Sequence, residues 1–179
     1  MKILLYGHSM LRQPCYEEVK DFFAARALRD VMVQMLTTHN INGLSAPQVG
    51  APVQLVVFRR SDGSITDIVN PYIYRMYGPE PEDVEFCPSC PPIWNRCQVP
   101  RMQVIHVTGR TIDEPSVEQD WKFKGREART IQHEVDHLAG TFFFDRARVN
   151  DRAEVLDKYR QWKTRWKSTQ SIGDEVCQH

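Results

Sequence analysis

His133 and His137 stand four positions apart, so on a helix their imidazoles sit one turn apart on the same face. Two nitrogens so placed can hold one divalent cation, and Glu134 lands within reach of a water on that cation. The cation lowers the pKa of the water toward neutrality, and the carboxylate can take its proton. The chemistry this predicts is activation of a metal-bound water by a neighbouring base. The plain alternative is a solvated helix face that carries His, Glu and His by chance.

A catalytic centre needs a third ligand and an open fourth position. The candidates are Cys87, Cys90, Cys97 and His106. A thiolate makes a short, strong bond to zinc or ferrous iron. One reading takes a single cysteine and leaves the fourth position open. The other takes Cys87 and Cys90 with both histidines as a closed structural site, which the Cys-x-x-Cys spacing supports. A closed site would give Glu134 no role, so the open one is favoured.

The elements that must position these groups can be traced along the chain. Leu28, Val31, Met32, Met35 and Leu36 recur at helical spacing and predict a helix over Phe22 to Thr38. Asn40 to Gly50 reads as a loop. Val53 to Phe58 reads as a strand, and Asp62-Gly63 as a turn into a second strand, Ile65 to Val69. Gly78 to Asp83, acidic and proline-rich, reads as a surface loop. Strand-like alternation returns at Met102 to Val107 and Val117 to Phe123. Arg126 to Leu138 is the helix that carries the histidines, closed near Gly140. Asn150 or Asp151 caps a last helix with an apolar stripe of Val155, Tyr159, Trp162 and Trp166. The expected fold is α+β: one domain over residues 1–179, antiparallel strands around a central metal-binding helix, and a C-terminal helix.

Composition narrows the partners. Of 179 residues, 23 are Lys or Arg and 23 Asp or Glu, so charge balance offers nothing to nucleic acid or to a membrane surface. No apolar run approaches the roughly 18 residues of a membrane span. The N-terminal residues turn polar too soon for a signal peptide. Five cysteines without a secretion signal point to a reducing compartment.

Three segments resemble the peptide deformylase family, which is recognised by G-x-G-x-A-A-x-Q, E-G-C-L-S and Q-H-E-x-D-H. Here they read Ile41-Asn42-Gly43-Leu44-Ser45-Ala46-Pro47-Gln48, Glu85-Phe86-Cys87-Pro88-Ser89 and Gln132-His133-Glu134-Val135-Asp136-His137, in the same order. Val69-Asn70-Pro71, Val99-Pro100-Arg101 and Gly140 to Arg146 match as well, so the similarity runs from about Leu11 to Arg148.

The resemblance implies a hydrolase that removes the formyl group from N-formylmethionyl peptides. Cys87, His133 and His137 would hold one divalent metal per chain, Fe2+ or Zn2+. Glu134 would be the general base and Gln48 a donor to the formyl oxygen. Asn42, Gly43, Leu44, Phe86, Pro88 and Arg96 would lie along the substrate. Asp136 would steady a ligand or a basic neighbour, and Glu85 and Arg101 would pair to brace the loop. The partner would be a formylated nascent chain at the ribosome. The protein would be a monomer or homodimer in the cytoplasm, or in a mitochondrial or plastid matrix once a transit peptide is removed.

Several positions depart from the family pattern. Pro88 replaces a leucine whose N–H helps bind the oxyanion, and a lost donor lowers turnover by about 10²–10³. Phe86 replaces a glycine that lets the peptide approach closely. Ile41 replaces the first glycine of the first segment, and Asn42 an aliphatic wall of the methionine pocket. Arg126 and Arg129 stand where apolar residues face that pocket, and both are expected to point into solvent. The alternative to a slow or re-specialised deformylase is a deformylase-like protein that keeps its metal but acts on other N-acyl substrates or only binds them. A zincin-type endopeptidase has only His133-Glu134-x-x-His137 behind it.

Overall fold

The helical periodicity near the N-terminus is realised as α1 (Phe22–Thr38), whose N-cap Asp21 accepts a hydrogen bond from the Ala24 N–H at 3.0 Å. Its inward face, with Met32, Met35 and Leu36, packs on β1 (Gly43–Ser45) and β2 (Leu55–Arg59). The computed structural model describes residues 2–90 and 98–176. Then come β3 (Ile65–Val84), β4 (Gln98–Arg110) and β5 (Gln119–Lys124), and the strands form one antiparallel sheet ordered β1-β2-β3-β4-β5. Two helices follow, α2 (Gly125–Leu138) and α3 (Val149–Val176). The fold is the expected α+β arrangement, with α2 laid across the sheet.

Two expectations are corrected. The segment from Asn40 to Gly50 is not all loop: Gly43 to Ser45 pairs with Val56 to Phe58 as β1, and a 3-10 turn, Ala46–Val49, follows. Gly78 to Asp83 is not a surface loop either, since β3 runs through it to Val84. Beyond Val69 the strand no longer pairs with β2 and, among the described residues, keeps β4 as its one neighbour. Proline's missing N–H is tolerated on such an edge, and the irregular register between Glu80 and Asp83 absorbs Pro81.

α2 is buried along most of its length. Ala128, Ile131 and Leu138 pack with Val56, Phe58, Ile105, Val107 and Phe123 of the sheet. Each large side chain so buried contributes on the order of 1.5–3 kcal/mol. The helix ends at Gly140, whose φ of +68° is left-handed and whose absent Cβ would lie 2.7 Å from the Arg12 carbonyl oxygen. That contact brings in the N-terminal segment. Its N–H groups at Leu4, Tyr6 and Cys15 donate to the carbonyls of Gln48, Ser89 and Leu138, at 2.8, 2.7 and 2.7 Å.

On the far side, Val155 and Tyr159 of α3 are buried with Phe142, Phe143 and Phe144, and Trp162 packs against the same cluster. Trp166 lies outside the described side chains. Among the described residues no helix is long and apolar enough to cross a membrane.

Candidate active site

Three segments converge on the inward face of α2: the 3-10 turn after β1, the connection from β3 to β4, and α2 itself. Helical spacing puts His133 and His137 side by side, with ring centroids 4.9 Å apart. The connection brings Cys87 to them. One ligand atom from each of Cys87, His133 and His137 lies within 4.8 Å of the others, and all three residues are buried. The Cys87 Sγ is 3.2 Å from His137 Nε2.

The Cys87 loop is a tight turn in which the Cys90 N–H donates to the Cys87 carbonyl at 2.9 Å. Pro88 occupies the second position of that turn, where its fixed φ is favoured. Cys90 is buried behind the loop and is not part of the three-residue group, so among the described residues the closed Cys87–Cys90 site does not form. His106 lies on β4 beside Tyr74 and is not in the group either. Cys97 and Arg96 lie outside the described residues.

The residues behind the ligands are ordered by charge. His133 Nδ1 and Glu85 Oε2 are 2.7 Å apart, which leaves the buried Nε2 as the nitrogen on the Cys87 side, able to face a cation. Arg101 grips Glu85 through two hydrogen bonds at 2.7 and 2.9 Å, and Asp136 through a third at 2.6 Å. The expected Glu85–Arg101 pair is therefore present, and Asp136 steadies Arg101 and Arg146 rather than a ligand.

Burial disfavours the charged forms of both Cys87 and His133. Hydrogen bonds and charge from Cys90 and the two histidines nonetheless hold the Cys87 thiol well below its ordinary range. Cys87 and Glu85 likewise hold His133 well above its own. Both shifts favour the charged forms, and a buried sulfur set beside two imidazoles suits a divalent cation. A sulfur and two imidazole nitrogens are the donor set that zinc or ferrous iron accepts.

Glu134 is buried, and burial first of all pushes its carboxyl up to about 7, although His133 and His137 pull the other way. Its Oε2 has no partner. Gly43 passes so close that a Cβ there would sit 2.5 Å from Glu134 Oε1, so no side chain fits. Gln48 is buried and oriented from one end. Its Oε1 accepts from the Ser45 N–H at 2.8 Å and the Ser45 hydroxyl at 2.9 Å, which turns Nε2 toward Ser89 Oγ at 3.2 Å and Cys87 Sγ at 3.7 Å. Ser45 was not singled out from sequence, yet Ser-x-x-Gln is the signature of the reciprocal capping box it forms.

A cleft of about 350 Å³ opens over Glu134 and His133, and its lining includes Asn42, Gly43, Phe86 and Pro88. Phe86 is 46% exposed at the rim and leaves the cleft open. Leu44 departs from expectation: strand alternation sends its side chain away from Gly43 into the core with Leu36 and Leu55, fully buried. Neither arginine simply points into solvent. Arg126 donates to Asn42 Oδ1 at 2.8 Å, and Arg129 donates to Glu85 Oε1 and the Val99 carbonyl, each at 3.0 Å.

The family model described as Polypeptide deformylase matches residues 1–153. A peptide deformylase of Rhodopirellula baltica is 30% identical over 98% of this chain and 89% of its own length. One from Caldicellulosiruptor bescii is 35% identical over 81% of this chain and 84% of its own. The crystal structure of the peptide deformylase from Thermus thermophilus superposes with a TM-score of 0.83 at 30% identity, covering 93% of this chain and 97% of that one. Agreement in sequence and fold over so much of the chain means that the protein belongs to the peptide deformylase family of metal-dependent hydrolases.

Proposed function

We propose that the protein hydrolyses the N-formyl group of formylated peptides, nascent chains among them, and releases formate. The observation that carries this is the unpartnered Glu134 carboxylate oxygen, buried beside Cys87, His133 and His137 at the base of an open cleft. Cys87, His133 and His137 would hold Fe2+ or Zn2+, which would supply an acidified water and Lewis acidity toward the acyl group. Such a cation also favours ionised Glu134, which opposes the effect of burial.

Glu134 takes a proton from the attacking water and returns it to the amine nitrogen as the C–N bond breaks. Formate and a free α-amine are the products. Gln48 donates from Nε2 to the acyl oxygen as charge builds there. Its amide cannot turn away, because Oε1 is held by Ser45. Pro88 has no N–H to add, so Gln48 is the principal protein donor in this reading. Gln48→Leu is therefore expected to reduce kcat by about 10²–10³ with the metal content unchanged. Equal turnover in the variant would take Gln48 out of the reaction.

The direct test is formate release from formyl-Met-Ala-Ser and other formyl peptides by anaerobically purified, ferrous- or zinc-loaded protein, compared with chelator-stripped protein. Turnover restored by adding back the metal supports the reading. No formate from any formyl peptide at full metal occupancy would overturn it. A thiolate ligand also fits work in a reducing compartment, the cytoplasm or an organelle matrix.

A further inference from the structure

One wall of the cleft beside the reacting centre carries a guanidinium, that of Arg126. Arg126, in the first turn of α2, reaches across the mouth and meets only a neutral partner, Asn42 Oδ1 at 2.8 Å. Among the described residues no carboxylate stands at ion-pair distance from it. Most of the other charges lining the cleft are paired with one another or belong to the catalytic set. Arg129 is used by Glu85, which Arg101 and His133 also hold. Asp83 accepts from the Val84 N–H at 2.8 Å through Oδ1 and keeps its negative charge at the rim. Glu134 sits at the base. Glu127, the acidic residue of the first turn of α2, accepts from the Ser61 N–H at 2.8 Å and is not among the residues that line the cleft.

Asn42 accepts from Arg126 through its oxygen, so its amide hydrogens remain as donors beside the guanidinium. An apolar side chain pressed into this corner would strip water from both groups and give nothing back. A carboxylate would satisfy them with charge-assisted, two-pronged hydrogen bonds.

We infer that Arg126 and Asn42 make this cleft selective for N-formyl substrates that present a carboxylate, above all the side chain of an N-terminal glutamate or aspartate, over those that begin with methionine. The inference rests on the proposed hydrolysis for its choice of N-formyl compounds. The recognised carboxylate has two possible sources, the first side chain or the α-carboxylate of a one-residue N-formyl compound, and both would meet the same arginine.

The test reads binding rather than turnover. Zinc-loaded Glu134→Gln protein is titrated calorimetrically with formyl-Glu-Ala-Ser amide, formyl-Gln-Ala-Ser amide, formyl-Met-Ala-Ser amide and free N-formylmethionine. The glutamate peptide is expected to bind about tenfold more tightly than the other two peptides. That margin should shrink in about 0.5 M salt. It should vanish when Arg126→Leu or Asn42→Leu is added, provided that each variant melts like its parent. Tighter binding of N-formylmethionine than of every peptide, lost with Arg126→Leu, would support the same site with the α-carboxylate as ligand. Methionine peptide binding as tightly as glutamate peptide, or a glutamate preference that survives Arg126→Leu, would overturn the inference. Formate release by the unsubstituted protein is followed separately. Its absence would sink the hydrolase reading and leave the binding result to judge the cleft.

Discussion

Glu134→Ala is expected to lower formate release by about 10²–10⁴ while the protein still binds one equivalent of zinc. The candidate donor set, Cys87, His133 and His137, does not include Glu134, so removing this carboxylate leaves that set whole. What goes is, among the described residues, a buried carboxylate with an oxygen left to take a proton. The fold should not suffer. Alanine is the best helix former, and the group it replaces is a carboxyl whose ionisation burial opposes. Thermal melting of the metal-free variant should match or exceed that of the parent. Turnover within a few-fold of the parent would show that another group moves the proton. Loss of zinc together with activity would show Glu134 to be a ligand instead.

Arg101→Leu should be the most damaging single change to stability, by about 3 kcal/mol or more. Arg101 is 6% exposed and joins two buried carboxylates, Glu85 and Asp136. Removing it leaves two anions in a low-dielectric interior, and Arg129 and Arg146 compensate only in part. The damage should also reach the metal, because Glu85 holds the ring of His133. Losing support of this kind weakens metal affinity by about 10–100-fold. Urea unfolding of the metal-free protein measures the first effect, and zinc competition against a chromogenic chelator the second. The pair Glu85→Leu with Arg101→Leu separates the causes. It should recover much of the stability, since fewer unpaired charges remain, yet bind zinc as poorly as the single variant. A double variant with normal zinc affinity would disprove the role of Glu85 in positioning His133.

Much of this site is legible in the sequence itself. His133, Glu134 and His137 announce themselves because helical spacing turns a local string into a shared face, and Cys87 is recoverable from the resemblance. What stays hidden depends on partners far along the chain. Glu85 and His133 are 48 residues apart, and no local pattern records their contact. Arg129 looks like a solvent-facing charge because only the folded sheet brings Glu85 and the Val99 carbonyl to it. Pro79 and Pro81 suggest a loop because proline lacks a donor, and only the sheet order reveals that β3 has one neighbour at that point. Leu44 sits within a family motif, but the alternation of β1 decides which way its side chain turns.

The N-terminal segment has no chemistry of its own, yet its amides at Leu4, Tyr6 and Cys15 tie down the Gln48 turn, the cysteine loop and the end of the metal helix. It works as a jig that keeps three separately formed parts in alignment. A lesion in this strip would thus be felt as a faulty catalyst rather than as a missing residue. Its kinetic signature would be a donor and a base slightly out of line with each other, in a protein whose every reactive group is present.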